Sequence, residues 1–233
     1  MLKTNFMAIY MEELQKDKFR YERKYIIQNV ELPSFIFEIQ NNGFLEVFNE
    51  RKINNLYYDS INFNSILDNI DGLSNRKKFR VRWYGDTFKN SFKQFEIKFK
   101  SEFLNSKKII NIGKYQIKNH DDFHQTHEKL LEIFKKNDLP LFFEMRRKSI
   151  KLYNSYKRKY FLSGDKKIRI TIDKELKFYS PLTKNKFEEN KIIVEIKYDK
   201  DSKFINELKY LRLNKYSKYV KGVTSTSFYN PIY

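Results

Sequence analysis

The segment Arg76–Lys100, RKKFRVRWYGDTFKNSFKQFEIKFK, alternates apolar and polar residues on both sides of a short break at Gly85–Asp86. The apolar set is Phe79, Val81, Trp83, Phe95, Ile97 and Phe99. Strict alternation over this length predicts two half-buried strands joined as a hairpin. The polar face is almost wholly cationic, with single carboxylates among the cations. Such a face repels itself unless it binds a polyanion or a metal.

The overall charge agrees with an anionic ligand but does not identify it. The chain has 47 Lys+Arg against 29 Asp+Glu, a net charge of +18. This excess favours nucleic acid, a membrane surface or phosphate-rich molecules as partners. A composition rich in Lys, Asn, Ile, Phe and Tyr explains part of the charge, so the positions of the charges within strands must decide. The chain contains no cysteine, which excludes disulfides and Cys-ligated zinc.

The domain organisation predicted from the sequence is simple. Residues 1–18 read as a lead-in and residues 19–233 as a single domain, because no stretch rich in Pro, Gly or Ser interrupts the chain. No run of about 18 apolar residues and no signal-peptide core occur. We therefore expect no direct membrane insertion and a cytoplasmic location.

The local patterns predict mostly strands. Strands are expected at 19–27, 44–60 (one long strand or a hairpin), 107–118, 140–153, a hairpin within 157–176, 191–199 and 215–223. Helices are expected at 33–41, within 61–72, at 121–137 and at 201–211. Eight or so antiparallel strands with inserted helices predict a mainly β (α+β) fold, a closed eight-stranded tunnel barrel. Charged side chains would then face inward, and the helices would pack outside on the apolar face.

Six or seven of the predicted strands share one charge pattern, in which basic residues occupy alternate positions, often beside one acid. The set is Glu22 with Lys24, Arg80 with Arg82, Glu96 with Lys98, Arg147, Arg169 with Asp173, Glu195 with Lys197, and Lys215 with Lys218. On any one strand this is typical of a solvated face with cross-strand pairs. Recurrence at distant points favours one shared site. Guanidinium forks and ammonium groups bind phosphate, and nearby glutamates hold a divalent cation shared with it.

Several strings in this order resemble the VTC domain, the polyphosphate polymerase module of the vacuolar transporter chaperone complex, in the triphosphate tunnel metalloenzyme superfamily. The strings are ERKY (Glu22–Tyr25), LYYDS (Leu56–Ser60), KFRVRWYG (Lys78–Gly85), FEIKFK (Phe95–Lys100), MRRKSI (Met145–Ile150), IRITID (Ile168–Asp173), VEIKY (Val194–Tyr198) and KYSKYVKG (Lys215–Gly222). The resemblance covers about residues 19–223.

The resemblance implies a tunnel that holds linear polyphosphate and an enzyme that transfers the γ-phosphate of ATP to a growing chain with Mn²⁺ or Mg²⁺. The implied catalytic residues are Lys24, Arg80, Arg82, Lys98, Arg147, Arg169 and Lys218. The implied substrate-binding residues are Lys107, Lys197, Lys215 and Ser217, and the implied metal ligands are Glu195, Glu96 and Glu22.

Two positions depart from the family pattern. The family usually has Tyr two residues before the arginine that we match to Arg147, and Met145 stands there. The lysine after the EIK strand is either Lys107 or Lys108. The implied partners are ATP and polyphosphate. A membrane or translocation protein would be needed if synthesis is coupled to transport.

Two other functions use the same residues. A metal-dependent tri- or polyphosphatase would use water as the acceptor, but bases exceed acids on the predicted strands, which favours synthesis. A non-catalytic binder of polyphosphate or nucleic acid is the second alternative. Nucleic acid is disfavoured because Phe79, Val81 and Trp83 face away from the arginines and so form no stacking platform.

Overall fold

The computed structural model describes residues 21–101, 104–198 and 211–227. The strands are β1 (Tyr21–Ile27), β2 (Phe44–Asp59), β3 (Arg76–Tyr84), β4 (Ser91–Ser101), β5 (Leu104–Tyr115), β6 (Ser149–Ser163), β7 (Arg169–Tyr179), β8 (Lys186–Glu189) and β9 (Ile192–Tyr198). The helices are α1 (Leu32–Asn41), α2 (Asn64–Ile70), α3 (Phe123–Asn137), α4 (Leu139–Arg146) and α5 (Lys218–Thr226). The predicted lead-in and most of the predicted helix at 201–211 lie outside the described residues, and the boundary at residue 18 stays a prediction.

All the strand pairs are antiparallel and belong to one nine-stranded sheet. Its order is β1-β9-β7-β6-β2-β3-β4-β5, with β8 beside β7. The predicted hairpin is confirmed as β3 and β4, in which Arg80 lies opposite Glu96. The segment predicted at 44–60 is one long strand, β2 (Phe44–Asp59), which pairs with β3 on one side and β6 on the other. The mainly antiparallel β fold with helices is thus confirmed.

Closure of the predicted barrel is not confirmed. Within the described part of the chain, β1 and β5 end the strand order, and no backbone ladder joins them. The free edge of β1 is instead bonded near Leu213, where the N–H of Asn214 donates to the Lys24 carbonyl at 2.8 Å. An ion pair between Lys98 Nζ on β4 and Glu22 Oε2 on β1, at 3.4 Å, spans the two sides. The sheet therefore curls far enough for its ends to meet through side chains.

Helices cover the outer face of the curled sheet, as predicted. Phe79, Val81, Trp83 and Phe95 are buried there, and the Phe95 ring lies 5.1 Å from the ring of Phe134 on α3, centroid to centroid. Farther along the same outer face, α1 contributes to a second cluster, which it shares with the apolar faces of β1, β7 and β9. Within the described residues no helix combines the length and apolarity needed to cross a bilayer.

The first half of the predicted strand at 140–153 is helix α4, and β6 begins only at Ser149. The reason is local. The Asp138 side chain accepts a hydrogen bond from the Leu141 N–H at 3.1 Å, and Pro140 lies in the first turn. A capping acid followed by proline is typical of a helix N-terminus.

The predicted final strand at 215–223 is also wrong, because helix α5 begins at Lys218 after an N-cap at Ser217. The helix packs closely on the sheet at Gly222, where an added Cβ would lie 2.4 Å from Leu152 Cδ2 and 2.6 Å from Phe178 Cδ1. By strand alternation Leu152 lies on the same face of β6 as Arg158. Helix α5 therefore fills one end of the concave side of the sheet.

Candidate functional site

The concave side of the sheet encloses a cavity of about 320 Å³. Among the described residues, its basic lining side chains are Lys24, Arg51, Lys78, Arg80, Arg82, Lys98, Lys107, Arg158, Arg169, Lys197 and Lys218. Its acidic lining side chains are Glu22, Glu96 and Glu195. Eleven cations thus meet three carboxylates in one space. Ten of the cations come from the strands, with every strand except β8 contributing, and the eleventh, Lys218, comes from α5.

Twelve of the fourteen residues predicted for the site line this cavity, and the other two do not. Arg147 directly follows α4 and is exposed, and Lys215 is exposed in the segment before α5. The prediction that Arg147 and Lys215 line the tunnel is therefore wrong. The other twelve residues share one cavity, and the role of each of them stays a prediction.

Arg158 on β6 occupies the place that the sequence analysis gave to Arg147. It lines the cavity together with Tyr156, which stands two residues before it. This is the spacing of tyrosine and arginine that the resemblance implies for the family, and here both residues line the cavity, whereas Met145 and Arg147 do not. The string YKRKYF (Tyr156–Phe161) carried the signal that could have found it.

The choice between Lys107 and Lys108 is decided by the alternation of β5. Lys107 lines the cavity. Lys108 points the other way, and its Nζ lies 3.2 Å from Asp138 Oδ2, beyond the cavity wall.

Glu96 is held by two arginines of the neighbouring strand. Arg80 donates from Nε to Glu96 Oε2 at 2.7 Å, and Arg82 Nη1 lies 3.7 Å from Glu96 Oε1. Burial raises the pKa of Glu96, but the two guanidinium groups lower it more, so the pKa lies well below its ordinary value. Arg82 also donates to Asn55 Oδ1, and the Asn55 side chain in turn donates to Asn154 Oδ1. These two hydrogen bonds hold the Arg82 guanidinium in a fixed orientation.

Glu22 and Glu195 are neighbouring carboxylates on the paired strands β1 and β9. Lys24 Nζ lies 3.0 Å from Glu22 and 3.8 Å from Glu195, and Lys197 Nζ lies 3.6 and 3.7 Å from the same two groups. Burial and the charge of Glu195 raise the pKa of Glu22, but the ammonium groups of Lys24, Lys98 and Lys197 outweigh both. The pKa of Glu22 is lowered to about 2. Burial also raises the pKa of Glu195, but Lys197 and Lys24 lower it more, so both carboxylates are ionised at neutral pH.

This pair fits a divalent cation that is completed by phosphate. Mg²⁺ and Mn²⁺ are typically bound by one or two carboxylates together with water and substrate phosphates. Glu22 and Glu195 supply two such groups side by side on one wall, where lysine ammonium groups contact them, whereas Glu96 is a single carboxylate held by the Arg80 guanidinium. No cluster of three or more acidic or histidine side chains occurs in the described ranges.

Asp173 is fully buried and holds two of the cavity cations. Arg158 donates to it from Nε at 2.5 Å and from Nη2 at 2.7 Å, and Lys218 Nζ lies 2.5 Å from its Oδ2. Burial raises the pKa of Asp173, but Arg158 and Lys218 lower it more, so that the net shift is downward. The carboxylate therefore joins β6, β7 and α5 at one point on the cavity wall.

Tyr156 lies among the cations of this cluster. Arg82 donates from Nη2 to the Tyr156 hydroxyl at 3.3 Å. Burial raises the pKa of this phenol, but Arg158, Arg82 and Lys218 lower it more, and the pKa lies below its ordinary value. The phenol oxygen is thus polarised toward negative charge.

Lys78 has a different environment, because its hydrogen bonds go to neutral groups. Its Nζ donates to Asn69 Oδ1 at 2.5 Å and to Ser217 Oγ at 3.2 Å. Burial, followed by the charges of Lys24, Lys98 and other nearby cations, lowers the pKa of Lys78 to about 7. Arg51 and Arg169 likewise lack a carboxylate of the described residues within ion-pair distance. A polyanion in the cavity would supply what these three cations lack.

An antiparallel sheet curled around a cavity of converging cations defines a phosphate-handling domain of the tunnel-fold class. The sequence profile of the VTC domain matches residues 19–227. The chain belongs to the VTC domain family, as its short sequence motifs predicted. Within the superfamily to which this family belongs, domains generally use divalent metals.

The solved structures show how far the fold itself is shared. A structure from Vibrio parahaemolyticus, provisionally named adenylate cyclase, is 13% identical, with a TM-score of 0.50 over 90% of this chain and 99% of that chain. Another from Bacillus halodurans, with the same provisional name, is 10% identical, with a TM-score of 0.43 over 92% and 95%. At such identities the first structure shows the fold alone. Comparison with curated proteins finds no significant match.

Proposed function

We propose that the protein is an ATP-dependent polyphosphate polymerase, in which the γ-phosphate of ATP is transferred to a growing chain inside the cavity. The observation that supports this is the convergence of eleven basic side chains on one space with only three carboxylates. A surface face for cross-strand pairing needs no such excess. A linear polyanion does, because each of its phosphates brings negative charge into a confined space.

In the proposed reaction, a terminal oxygen of the chain attacks the γ-phosphorus of ATP. The bond from that phosphorus to the oxygen bridging it to the β-phosphate breaks, and ADP leaves with the electron pair. Such a transfer needs positioning and charge stabilisation more than covalent help. Arg158 and Lys218 are held in place by Asp173, and Arg169 faces the same space, so these three can bind the transferred phosphoryl group.

Mn²⁺ or Mg²⁺, held by Glu22 and Glu195, would neutralise charge on the phosphates and polarise the phosphorus. The chain's own cations bind the rest of the triphosphate and the polymer. Arg80 and Arg82 are kept in fixed orientations by Glu96 and Asn55, so little reorganisation is needed when phosphate enters. The acceptor is itself an ionised phosphate, so the proposed transfer needs no histidine or serine nucleophile.

ATP and polyphosphate are the partners that this proposal requires. Nucleic acid is not proposed as a ligand, because Phe79 and Trp83 are buried on the outer face and cannot stack bases. For any coupling of synthesis to transport, we propose a separate membrane or translocation protein. We also keep the proposal of a cytoplasmic location, where ATP is available.

The test is to incubate the purified protein with ATP and Mn²⁺ and to resolve the products by gel electrophoresis and ³¹P NMR. Chains of many phosphates are expected, with ADP formed in step. Products limited to orthophosphate would contradict the polymerase and favour a tri- or polyphosphatase in the same cavity. Binding of tripolyphosphate without any turnover would leave only the non-catalytic binder.

A further inference from the structure

One end of the cavity differs from the rest because β2 is irregular there. From Glu46 to Arg51, β2 advances five residues while its partner β6 advances only three, from Phe161 to Arg158. The two extra residues in β2 form bulges, which re-aim side chains and are frequent at functional sites. As a result the sequence neighbours Val47 and Phe48 both line the cavity, although a regular strand would turn one of them away.

The side chains at this bulged end are mainly aromatic rings and one guanidinium group, whereas lysines are frequent in the rest of the cavity. The Phe48 and Tyr160 ring centroids lie 5.6 Å apart in an edge-to-face arrangement. The Arg51 guanidinium carbon lies 4.3 Å from the Phe48 centroid and 5.9 Å from that of Tyr160. Val47 and Leu162 add aliphatic surface beside them.

The acids of the same strand segment do not engage Arg51. Glu46 pairs with Lys159 at 3.3 Å, and Glu50 pairs with Lys174 at 3.0 Å. No carboxylate of the described residues lies within ion-pair distance of Arg51. Its guanidinium therefore keeps its hydrogen-bond donors for a ligand while its face stacks on a ring.

An inorganic polyphosphate chain has no flat apolar surface, so it gains nothing from the rings of Phe48 and Tyr160 or from the aliphatic side chain of Leu162. A nucleotide does, because every nucleobase has a π face that stacks on aromatic rings and guanidinium planes. We propose that the bulged end of the cavity, formed by Val47, Phe48, Arg51 and Tyr160, binds the base of a nucleoside triphosphate. This subsite rests on the proposed use of ATP as phosphoryl donor.

The subsite also orients the donor. Arg158 lies two residues from Tyr160 along β6, and its guanidinium carbon is 5.9 Å from the Tyr160 ring centroid. The base subsite thus adjoins the cluster of Arg158, Asp173 and Lys218. A nucleotide with its base at the bulge extends its triphosphate into that cluster, and the polymer occupies the part of the cavity beyond it, toward Lys78 and Lys98.

The test compares the binding of ATP with that of inorganic tripolyphosphate by isothermal titration calorimetry. Phe48→Leu keeps apolar volume but removes the ring, and Phe48→Trp keeps a ring. Leu45→Ala, at an exposed position of β2 that does not line the cavity, is the matched control. We expect Phe48→Leu to weaken ATP binding about 10-fold. Its binding of tripolyphosphate should stay at the wild-type level, and Phe48→Trp should retain ATP binding.

Equal weakening for both ligands in Phe48→Leu, or no weakening for either, would overturn the subsite. Polymer synthesis from ATP is assayed on the same samples, so that the two proposals can fail separately. If wild-type protein makes polymer while Phe48→Leu binds ATP normally, only the base subsite fails. If Phe48→Leu selectively loses ATP but the wild type makes no polymer, the subsite stands and the polymerase proposal fails.

Discussion

Arg158 on β6 donates two hydrogen bonds to the Asp173 carboxylate on the paired strand β7, from Nε at 2.5 Å and from Nη2 at 2.7 Å. Lys218 reaches the same carboxylate from the first turn of α5. Asp173 itself is fully buried and does not line the cavity, whereas its two partners do. It is therefore a positioning residue, which fixes the two cations that would touch phosphate.

Replacing Asp173 by asparagine should leave two largely buried cations of the cavity wall without their counter-charge. We expect the free energy of unfolding to fall by about 3 to 5 kcal/mol. Tripolyphosphate should stabilise Asp173→Asn more than it stabilises the wild type, because the anion takes over the role of the lost carboxylate. Urea unfolding with and without tripolyphosphate measures both effects.

The control for this substitution is Glu46→Gln, which removes a partly exposed ion pair with Lys159. That variant should lose no more than about 1 kcal/mol. An Asp173→Asn protein that loses as little as the control, or that tripolyphosphate stabilises no better than the wild type, would show that Asp173 does not hold these cations.

Arg169 and Arg147 offer a direct comparison of a cavity arginine with an exposed one. Arg169 lines the cavity and has no carboxylate of the described residues in ion-pair reach, so its donors are available to phosphate. Arg169→Ala should weaken tripolyphosphate binding about 10-fold or more, since hydrogen bonds to charged groups contribute about 1.5 to 3 kcal/mol. Arg147→Ala should bind like the wild type. Isothermal titration calorimetry measures tripolyphosphate affinity for both variants. A larger loss for Arg147→Ala than for Arg169→Ala would show that Arg147 binds phosphate after all.

Lys78 should make the stability of the empty protein depend on pH. Its pKa is about 7 in the folded protein against an ordinary 10.5. Between these two pH values the unfolded chain binds the proton that the folded protein has lost, so the contribution of Lys78 to stability rises with pH across that window. Below pH 7 the group is charged in both states, and its burial is fully destabilising.

Lys78→Met removes the titrating group and serves as the reference. The wild type should gain unfolding free energy relative to Lys78→Met as the pH rises from about 7 to 10. Tripolyphosphate binding by the wild type above pH 7 should take up a proton, which calorimetry in buffers of different ionisation enthalpy detects. Parallel stability curves for the two proteins would show that Lys78 keeps an ordinary pKa.

Glu195 should matter for the metal more than for phosphate. Glu195→Gln removes one of the two carboxylates that fit a divalent cation. The Mn²⁺ concentration that gives half-maximal polymer synthesis should therefore rise about 10-fold or more. Binding of tripolyphosphate without metal should be unchanged or tighter, because one repelling charge is gone. Glu188→Gln, which disrupts an exposed pair with Lys177, is the control. A loss of phosphate affinity equal to the loss of metal affinity would contradict this role.

Much of the site could be predicted because successive side chains of a strand point to opposite faces of the sheet. Once Arg80 and Arg82 alternate with Phe79 and Val81, one set must face the cavity if the other faces the core. The same local rule predicted the placement of Glu22, Lys24, Arg169 and Glu195, since each stands in a period-two segment. The family resemblance then assigned the converging set to phosphate.

The errors occurred where short segments fit two structures equally well. The alternation around Lys215–Val223 also suits a strand, but packing decides for α5, since Gly222 allows the helix to approach Leu152 and Phe178. The segment at 140–147 becomes a helix through its cap at Asp138, and this removes Arg147 from the sheet. Arg158, fifteen residues before Asp173 in the chain, takes the cavity position.

The order of charges and apolar residues along this chain was enough to establish an antiparallel sheet with one cationic face, because alternation depends only on neighbouring residues. Which cations meet in the same space, which acid holds each of them, and where β2 bulges to bring Phe48 beside Arg51 were decided by the folded chain. Those relations join residues far apart in sequence, such as Glu22 and Lys98, and they arise only when the curled sheet brings β1 within reach of β4.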